Sequence, residues 1–283
     1  MKSTTIILIL ALLLTGCNLP RSQTAPANAT VALPSPVESA APPVTGAADQ
    51  FGGPTLESPV PPADTPLEEV ILILEPGPGS RLISPVWITG VADPVFEQTL
   101  GVSIILDDGT VLAIGSVRME PGQRGNFTVE IPFDIEGERQ AFIQVFASSP
   151  RDGGITHLNS VGVSLASSGT PDIKSVEPYQ ERILIMTPLS AEQIQGGVVH
   201  VEGFGLASFE QTLLIEVQDA GGTVVGSAPV IVNAPDWGQP GNFRADISYI
   251  VSEPGPGRIV VRDVSPAFGG NTHLASVEIN LLP

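Results

Sequence analysis

The sequence predicts an all-β chain, in which two tandem β-sandwiches follow a disordered, Pro-rich tether. Short runs rich in β-branched residues alternate with Gly, Pro and Asp throughout residues 70–283, as in sheets built from many short strands. Several short motifs occur twice in the same order, which indicates a duplicated module. The segment before residue 70 is rich in Pro, Ala, Ser and Thr.

The repeated motifs define one unit used twice. FEQTL occupies residues 96–100 and again 209–213, an offset of 113 residues. GNF begins at Gly125 and again at Gly241, an offset of 116 residues, so the second copy carries a three-residue insertion within VNAPDWGQPGNF. Upstream, VILILEP is echoed by RILIMTP. Each unit has about a hundred residues, the size of a small domain, and two copies are too few for a solenoid. Each copy must therefore bury its own core.

Each copy predicts an immunoglobulin-like sandwich. The first copy contains seven strand-like runs, the count of that fold: VILIL, VWITG, LGVSIIL, TVLAIGSV, NFTVEI, QAFIQVFA and HLNSVGVSL. Asp107-Asp108-Gly109 predicts a hairpin turn, because Gly adopts positive φ without strain. Alternation along the strand that follows each FEQTL predicts two inward-facing sets: Leu100, Val102, Ile104 and Leu106 in the first copy, and Leu213, Ile215 and Val217 in the second.

The N-terminus is interpreted as a lipoprotein signal in residues 1–17. An early lysine precedes an apolar run too short to span a bilayer as a helix. The run ends in Leu14, Thr15, Gly16 and Cys17, which resembles the bacterial lipobox, and Cys17 is the single cysteine of the chain. The resemblance implies a diacylglyceryl group on the Cys17 sulfur and cleavage that makes Cys17 the new N-terminus. The alternative is an ordinary signal peptide with an incidental cysteine.

The predicted domain organisation follows from composition and repeats. Residues 18–69 have few aromatics and predict a disordered, partly polyproline tether, because they cannot bury enough apolar surface to offset their ordering entropy. The two sandwiches are assigned to residues 70–166 and 182–283, with a linker at 167–181. The lipid anchor would place both domains outside the cytoplasm, at the bacterial cell envelope. With Cys17 lipidated, they would have no disulfide.

Three elements in order make the resemblance to a family specific. They are an opening strand that runs into a Pro-rich turn (ILEPGPGS), a strand that ends in Gly and is followed by Phe-Glu, and a late DGG or GG loop before the final strand. The pattern resembles the immunoglobulin-like domain of bacterial spore-germination-associated lipoproteins, over residues 70–166 and 182–283. In the second copy TPLSAEQIQGG replaces the first turn. The resemblance implies an envelope protein without a defined biochemical activity, and no spore role is inferred.

The FEQTL motif is predicted to serve the fold. Phe96 and Phe209 precede a central strand, where a large ring would close one end of the sandwich. Glu97 and Glu210 would lie at that rim and accept backbone N–H bonds from a neighbouring loop. The functional alternative is a ligand or cation site at these two glutamates.

Catalytic chemistry is not indicated. The motif THL places His157 and His273 at equivalent positions, 116 residues apart. We expect them to lie in separate domains, to hydrogen-bond locally and to bind no metal, since a metal site needs three or four convergent ligands. The sequence contains no Gly-x-Ser-x-Gly, His-Glu-x-x-His or P-loop motif. No catalytic residue and no cofactor are predicted, and an enzyme ranks a distant third among the function classes.

Charge and one tryptophan bear on partners. The first copy has 11 acidic and 5 basic residues and the second has 10 and 4, a net charge of −6 each (5 − 11 and 4 − 10). Such surfaces repel nucleic acid and anionic lipid.

Trp237, in the insertion, is predicted to be exposed, where it would stack on a sugar or anchor a protein interface, although it could instead fold over its own loop. We expect a lipid-anchored, surface-displayed, non-catalytic interaction or scaffolding protein that binds an envelope protein. The alternative is a module that binds peptidoglycan or a neutral glycan.

Overall fold

Two immunoglobulin-like sandwiches in tandem make up the described part of the chain. The computed structural model describes residues 68–267 and 269–283, which belong to one compact unit. Domain 1 contains β1 (Ile71–Glu75), β2 (Arg81–Ile83), β3 (Val86–Ala92), β4 (Thr99–Leu106), β5 (Val111–Arg118), β6 (Gly125–Ile131), β7 (Glu138–Ser148) and β8 (Ile155–Ala166). Domain 2 contains β9 (Ile183–Thr187), β10 (Gln193–Ile194), β11 (Val198–Gly205), β12 (Thr212–Gln218), β13 (Val224–Ile231), β14 (Gly241–Ser248), β15 (Gly255–Val264) and β16 (Asn271–Leu281). In these residues no helix is long and apolar enough to cross a bilayer.

Each sandwich packs a three-stranded sheet against part of a larger one. The small sheets are β1-β3-β6 and β14-β11-β9, and the matching strands of the large sheet are β8-β7-β4-β5 and β13-β12-β15-β16. The predicted inward positions are confirmed, since Leu100, Val102 and Ile104 are fully buried, as are Leu213 and Ile215. All seven runs predicted for the first copy are strands, and sequence alone missed only the short β2.

A glycine–phenylalanine pair explains two of the repeated motifs. Gly90 on β3 lies opposite Phe127 of the first GNF on β6, and Gly203 on β11 lies opposite Phe243 of the second GNF on β14. A Cβ atom added to either glycine would overlap the ring of its partner. Each domain therefore keeps a glycine at this position so that the phenylalanine can lie flat across the small sheet.

The FEQTL motif forms the same left-handed turn in both domains. Glu97 and Gln98 have φ of 53° and 49°, and Glu210 and Gln211 have φ of 47° and 53°. Two successive left-handed residues are uncommon outside glycine, so the turn is specified by its surroundings. In each copy the threonine hydroxyl donates to the carbonyl of the glutamate two residues earlier, at 3.1 Å. The motif thus directs the chain into β4 and β12.

The two domains share one sheet. The ten-stranded sheet runs β13-β12-β15-β16-β8-β7-β4-β5 and also includes β2 and β10. At its centre the last strands of the two domains pair antiparallel, with His157 opposite Ala275, Leu158 opposite Leu274 and Asn159 opposite His273. Because Leu158 and Leu274 are the equivalent leucines of the two THL motifs, the repeats meet about an approximate two-fold axis.

The outer face of this junction is apolar at its centre and charged at one side. Leu158 and Leu274 pack with Val260 in a small buried cluster. Beside it the guanidinium of Arg258, 2% exposed, donates to Asp152 of domain 1 at 2.6 Å. Burial strengthens this ion pair, because little water competes for it.

The linker between the domains packs along the opening strand of domain 1. Lys174 accepts a hydrogen bond from the Gly77 N–H at 2.6 Å, and the Val176 N–H donates to the Leu74 carbonyl at 2.9 Å. These bonds satisfy backbone groups at the edge of β1. The linker is thus an extended segment bound to domain 1 over much of its length.

Acid should weaken this junction through Asp152. Hydrogen bonding to Arg258 lowers the pKa of Asp152 from its ordinary 3.8 to about 2. A depressed pKa contributes stability above the ordinary value that is lost as pH falls through the folded value. We therefore expect Asp152→Asn to lower the urea midpoint at pH 7 and to reduce the further loss between pH 3.8 and about 2.

The matched control for this prediction is Asp134→Asn, which removes an exposed carboxylate for which no ion pair occurs among the described residues. Its urea midpoint should follow that of the unmodified chain at every pH. Equal acid sensitivity in the Asp152→Asn variant and the unmodified chain would contradict the assignment. Arg151, 3.2 Å from the same carboxylate, gives it a second cationic partner.

Candidate functional site

Four buried ionisable side chains converge on the inner face of the junction. They are Glu69 (0% exposed), His157 (8%), Glu181 (8%) and His273 (3%). Each glutamate immediately precedes the opening strand of its domain, at an offset of 112 residues (181 − 69), and each histidine begins the pairing segment of the last strand. The cluster is therefore two copies of one Glu-His pair, brought together by the approximate two-fold axis.

His157 lies between the two carboxylates. Its Nε2 is 3.2 Å from Glu69 Oε1 and 3.4 Å from Glu181 Oε1. The Nε2 of His273 approaches the same Glu69 oxygen at 3.7 Å. This junction thus concentrates two acids and two imidazoles in a volume shielded from water.

The other oxygen of each glutamate holds the backbone of the opposite domain. The Val70 N–H donates to Glu181 Oε2 at 3.0 Å, and the Arg182 N–H donates to Glu69 Oε2, also at 3.0 Å. The start of each domain is therefore fixed by the glutamate of the other copy. Glu69 Oε1 faces both histidines, and Glu181 Oε1 faces His157 and also accepts the Ile183 N–H at 3.1 Å.

Polar neighbours surround the cluster. Asn159 donates from its amide to the Ile71 carbonyl at 2.6 Å and to the Tyr179 hydroxyl at 2.8 Å. Burial raises the pKa of Tyr179 to about 12, so its hydroxyl stays neutral. On the domain 2 side, Arg182 lies 3.5 Å from the fully buried carboxylate of Asp263.

The pKa values of the two histidines shift in opposite directions. Burial opposes protonation of His157, but its hydrogen bond with Glu69 and the charge of Glu181 outweigh burial and raise its pKa. Burial raises the pKa of Glu181. Burial, together with the positive charges of Arg182 and His157, lowers the pKa of His273 well below its usual range. Of the two imidazoles, His157 therefore takes up a proton more readily than His273.

His273 is not satisfied by protein groups. Neither Nδ1 nor Nε2 has a hydrogen-bond partner among the described residues, although both atoms are buried. A buried imidazole without a partner is costly, since it has lost water and gained nothing in exchange. The cluster thus combines a surplus of acceptors around His157 with an unused ligand atom on His273.

Two cavities are lined in part by residues of the cluster. One of about 450 Å³ is largely apolar and is lined in part by Tyr179, Glu181, Arg182 and His273. Another of about 290 Å³ is lined in part by His157 and Glu181. Small solutes therefore have routes to the buried groups.

The structure corrects the expectation for the histidines. They were expected to lie apart and to hydrogen-bond locally, yet they lie on paired strands, and the partner of His157 is 88 residues earlier in the chain. Glu69 and Glu181 were missed, because one was assigned to the tether and the other to the linker. The available signal was the Glu that precedes VILIL and RILIM alike.

The structure also corrects the expectation for the side chains of FEQTL. Phe96 and Phe209 do not close the sandwich, since they are 52% and 48% exposed. Among the hydrogen bonds of the described residues, none is accepted by the carboxylate of Glu97 or Glu210. The backbone conformation of the turn, rather than an acidic anchor, is what the motif provides.

The remaining candidates lie at the surface or outside the described residues. Trp237 is 71% exposed, as predicted, on a loop of residues 232–240 that is three residues longer than its counterpart, 119–124. Its backbone N–H donates to the side chain of Asp236 at 2.8 Å. Cys17 and the lipobox residues Leu14, Thr15 and Gly16 lie outside the described residues.

Similarity to solved structures is distant. The chain is similar to red sea bream transglutaminase (8% identity, TM-score 0.28), covering 76% of this chain and 31% of that one. It is also similar to latent PorU from Porphyromonas gingivalis (10%, 0.23), covering 76% and 24%, and to CBD12 from CALX1.2 (12%, 0.20), covering 74% and 99%. The chain thus spans less than a third of the first two proteins, and such scores carry no functional argument. A search of curated proteins found no match.

A family model identifies both domains. The immunoglobulin-like domain of bacterial spore germination matches residues 70–154 and 182–270, together more than half of the chain. Each match covers its sandwich up to the last strand, β8 or β16, and the two matches confirm the resemblance given by the motifs. The chain therefore belongs to the family defined by the immunoglobulin-like domain of bacterial spore germination, which it carries in two tandem copies.

Proposed function

We propose that this chain is a lipid-anchored, surface-displayed, non-catalytic scaffolding protein whose two domains act as one rigid arm. The observation that carries the proposal is the pairing of β8 with β16, which makes one sheet of two domains. Tandem domains joined only by a free linker change their relative orientation readily. A shared sheet instead fixes the distance between the two ends, as a scaffold requires.

Polar contacts on both faces of the sheet support a rigid junction. On the inner face the crossed Glu69 and Glu181 hydrogen bonds tie the start of each domain to the other. On the outer face Arg258 binds Asp152 across the same strands. Bending the junction would break buried hydrogen bonds on both sides, which is costly.

The two outer edges of the large sheet favour protein partners. β5 and β13 are its terminal strands, and each exposes apolar side chains: Ile114 is 77% exposed and Ile231 is 71% exposed. A terminal strand presents unpaired N–H and C=O groups to which an extended segment of another protein can add. The arm would thus hold one partner segment at each end.

A non-catalytic role is supported by the way the buried acids and bases are used. Glu69 and Glu181 hold backbone N–H groups and His157, as structural groups do. Membership of an immunoglobulin-like domain family adds to this, although sandwiches of this kind carry many functions.

The anchor is tested by Cys17→Ala. Several acyl chains on one cysteine hold a protein firmly, at about 0.8 kcal/mol per buried methylene. We expect the full-length chain to fractionate with membranes and the variant to lose both processing and membrane association, as judged by metabolic labelling with a palmitate analogue and by fractionation. Unchanged processing and fractionation of the variant would refute the anchor.

The edges are tested by site-specific photo-crosslinking in intact cells. A photo-crosslinking amino acid in place of Ile114 or Ile231 should give adducts of discrete mass with an envelope protein. The matched control is Ile173, which is 54% exposed but lies on the linker, away from either edge. Adducts no stronger at the edges than at Ile173 would count against partner binding by strand addition.

Trp237 supports a second candidate function, attachment to the cell wall or a neutral glycan. An exposed indole on a protruding loop offers a flat surface on which a sugar ring can stack. The alternative, in which the tryptophan folds over its own loop, does not fit a side chain that is 71% exposed.

This alternative is tested by co-sedimentation of the full-length chain with purified peptidoglycan sacculi and with insoluble neutral polysaccharides. If the loop binds glycan, Trp237→Ala should raise the apparent Kd obtained from the pelleting curve at least about tenfold, the effect of losing a contact worth about 1.4 kcal/mol. Trp87→Ala is the matched control, because Trp87 is 56% exposed but lies on a strand. Equal pelleting of all three proteins would exclude Trp237, and no pelleting would leave the scaffold proposal alone.

A further inference from the structure

We propose that Glu69, His157, Glu181 and His273 form a structural metal site of the zinc class that joins the two domains. Each domain contributes one carboxylate and one imidazole. The site goes beyond the scaffold proposed above, because it assigns an inorganic ligand to the junction.

The spacing of three of the four proposed ligands, Glu69, His157 and Glu181, is compatible with a tetrahedral ion. Zn²⁺ binds imidazole nitrogen and carboxylate oxygen at about 2.0–2.1 Å, so the ligand atoms of a tetrahedral site are about 3.3 Å apart. His157 Nε2 lies 3.2 Å from Glu69 Oε1 and 3.4 Å from Glu181 Oε1. The ligand atoms of these three residues all lie within 4.8 Å of one another.

His273 supplies the independent observation. It lies beside the three mutually close ligands, and a shift of its side chain toward them would make it the fourth. The two ring nitrogens of His273 are buried without a hydrogen-bond partner among the described residues. Its Nε2 lies 3.7 Å from Glu69 Oε1, the same oxygen that approaches His157. Imidazole binds metals through a neutral ring nitrogen with a free lone pair. A metal ion would use that lone pair, which protein groups leave unused.

Surrounding hydrogen bonds hold the carboxylates in a ligating orientation. Glu69 Oε2 accepts the Arg182 N–H and Glu181 Oε2 accepts the Val70 N–H, each at 3.0 Å. Groups of this kind orient the ligands of metal sites and are a usual part of them. The Oε1 atoms face His157, and that of Glu181 also accepts the Ile183 N–H at 3.1 Å.

Charge and ligand type favour a divalent transition metal. Two carboxylate ligands supply two negative charges, which one divalent ion balances once His157 has released its proton and binds as a neutral imidazole. Arg182 and Asp263 balance one another at 3.5 Å. Imidazole suits Zn²⁺, Cu²⁺, Ni²⁺ and Fe²⁺, whereas Ca²⁺ and Mg²⁺ prefer six or more oxygen ligands. The cavities of about 450 and 290 Å³ beside the cluster provide routes of entry.

The test is a Zn²⁺ titration of the full-length chain after chelator treatment. We expect one tightly bound ion per chain, measured by elemental analysis after gel filtration and by competition with a chromophoric chelator. Removal of one residue that binds the ion directly should weaken Zn²⁺ binding at least about 100-fold, since loss of a group that only hydrogen-bonds to a ligand already costs about 10–100-fold. His157→Ala and His273→Ala should both show this loss.

His200→Ala is the matched control. His200 also lies between two carboxylates, with Nδ1 2.6 Å from Asp246 and Nε2 3.0 Å from Glu202, but it is exposed at the surface. Zn²⁺ binding that survives in His157→Ala and His273→Ala but falls in His200→Ala would overturn the proposal. So would the lack of any stoichiometric binding by the unmodified chain.

Co²⁺ in the unmodified chain keeps the proposal testable should either junction variant fail to fold. A four-coordinate Co²⁺ site gives intense visible absorption, whereas a hydrated six-coordinate ion is nearly colourless. We expect one equivalent of Co²⁺ to develop the intense bands and one equivalent of Zn²⁺ to abolish them. Only the weak six-coordinate spectrum would overturn the assignment. Zn²⁺ should also raise the melting temperature of the unmodified chain, because a ligand that binds only the folded state stabilises it.

Discussion

The pairing of β8 with β16 is the constraint on which the rest of the described structure depends. It places the leucine of each THL motif opposite its own repeat, so a tandem duplication becomes an approximately two-fold interface within one chain. Such an interface uses the same surface twice, as a symmetric dimer does. A chain that satisfies one half of the contact satisfies the other as well, which explains why the motif is kept in both copies.

The same axis creates the polar cluster. Strand alternation directs Leu158 and Leu274 to the outer face, and thereby directs His157, Asn159 and His273 to the inner one. There they meet Glu69 and Glu181, because the opening strand of each domain also lies near the axis. Buried ionic groups contribute little net stability, but removal of one partner costs about 3–5 kcal/mol, so they select one arrangement of the domains.

The proposed arm, its open edges and the proposed metal site would all follow from one geometry. Because the last strands pair at the centre, β5 and β13 are left as the outermost strands, with their apolar side chains exposed. A junction held by a metal ion would couple the rigidity of the arm to the ion. The scaffold role does not require that coupling, since the crossed glutamate hydrogen bonds are made by protein groups alone.

The sequence by itself determined the fold class, the duplication, the seven strands of the first copy and the inward faces of β4 and β12. These features depend on the alternation of residues along a strand and on the residues that form turns, both of which are local. The site depended on contacts that local patterns do not encode. Only tertiary structure brought Glu69 within 3.2 Å of His157, 88 residues away, and decided that FEQTL acts through left-handed backbone. The pairing of two repeats is a long-range choice, and a single sequence gives no register between strands so far apart.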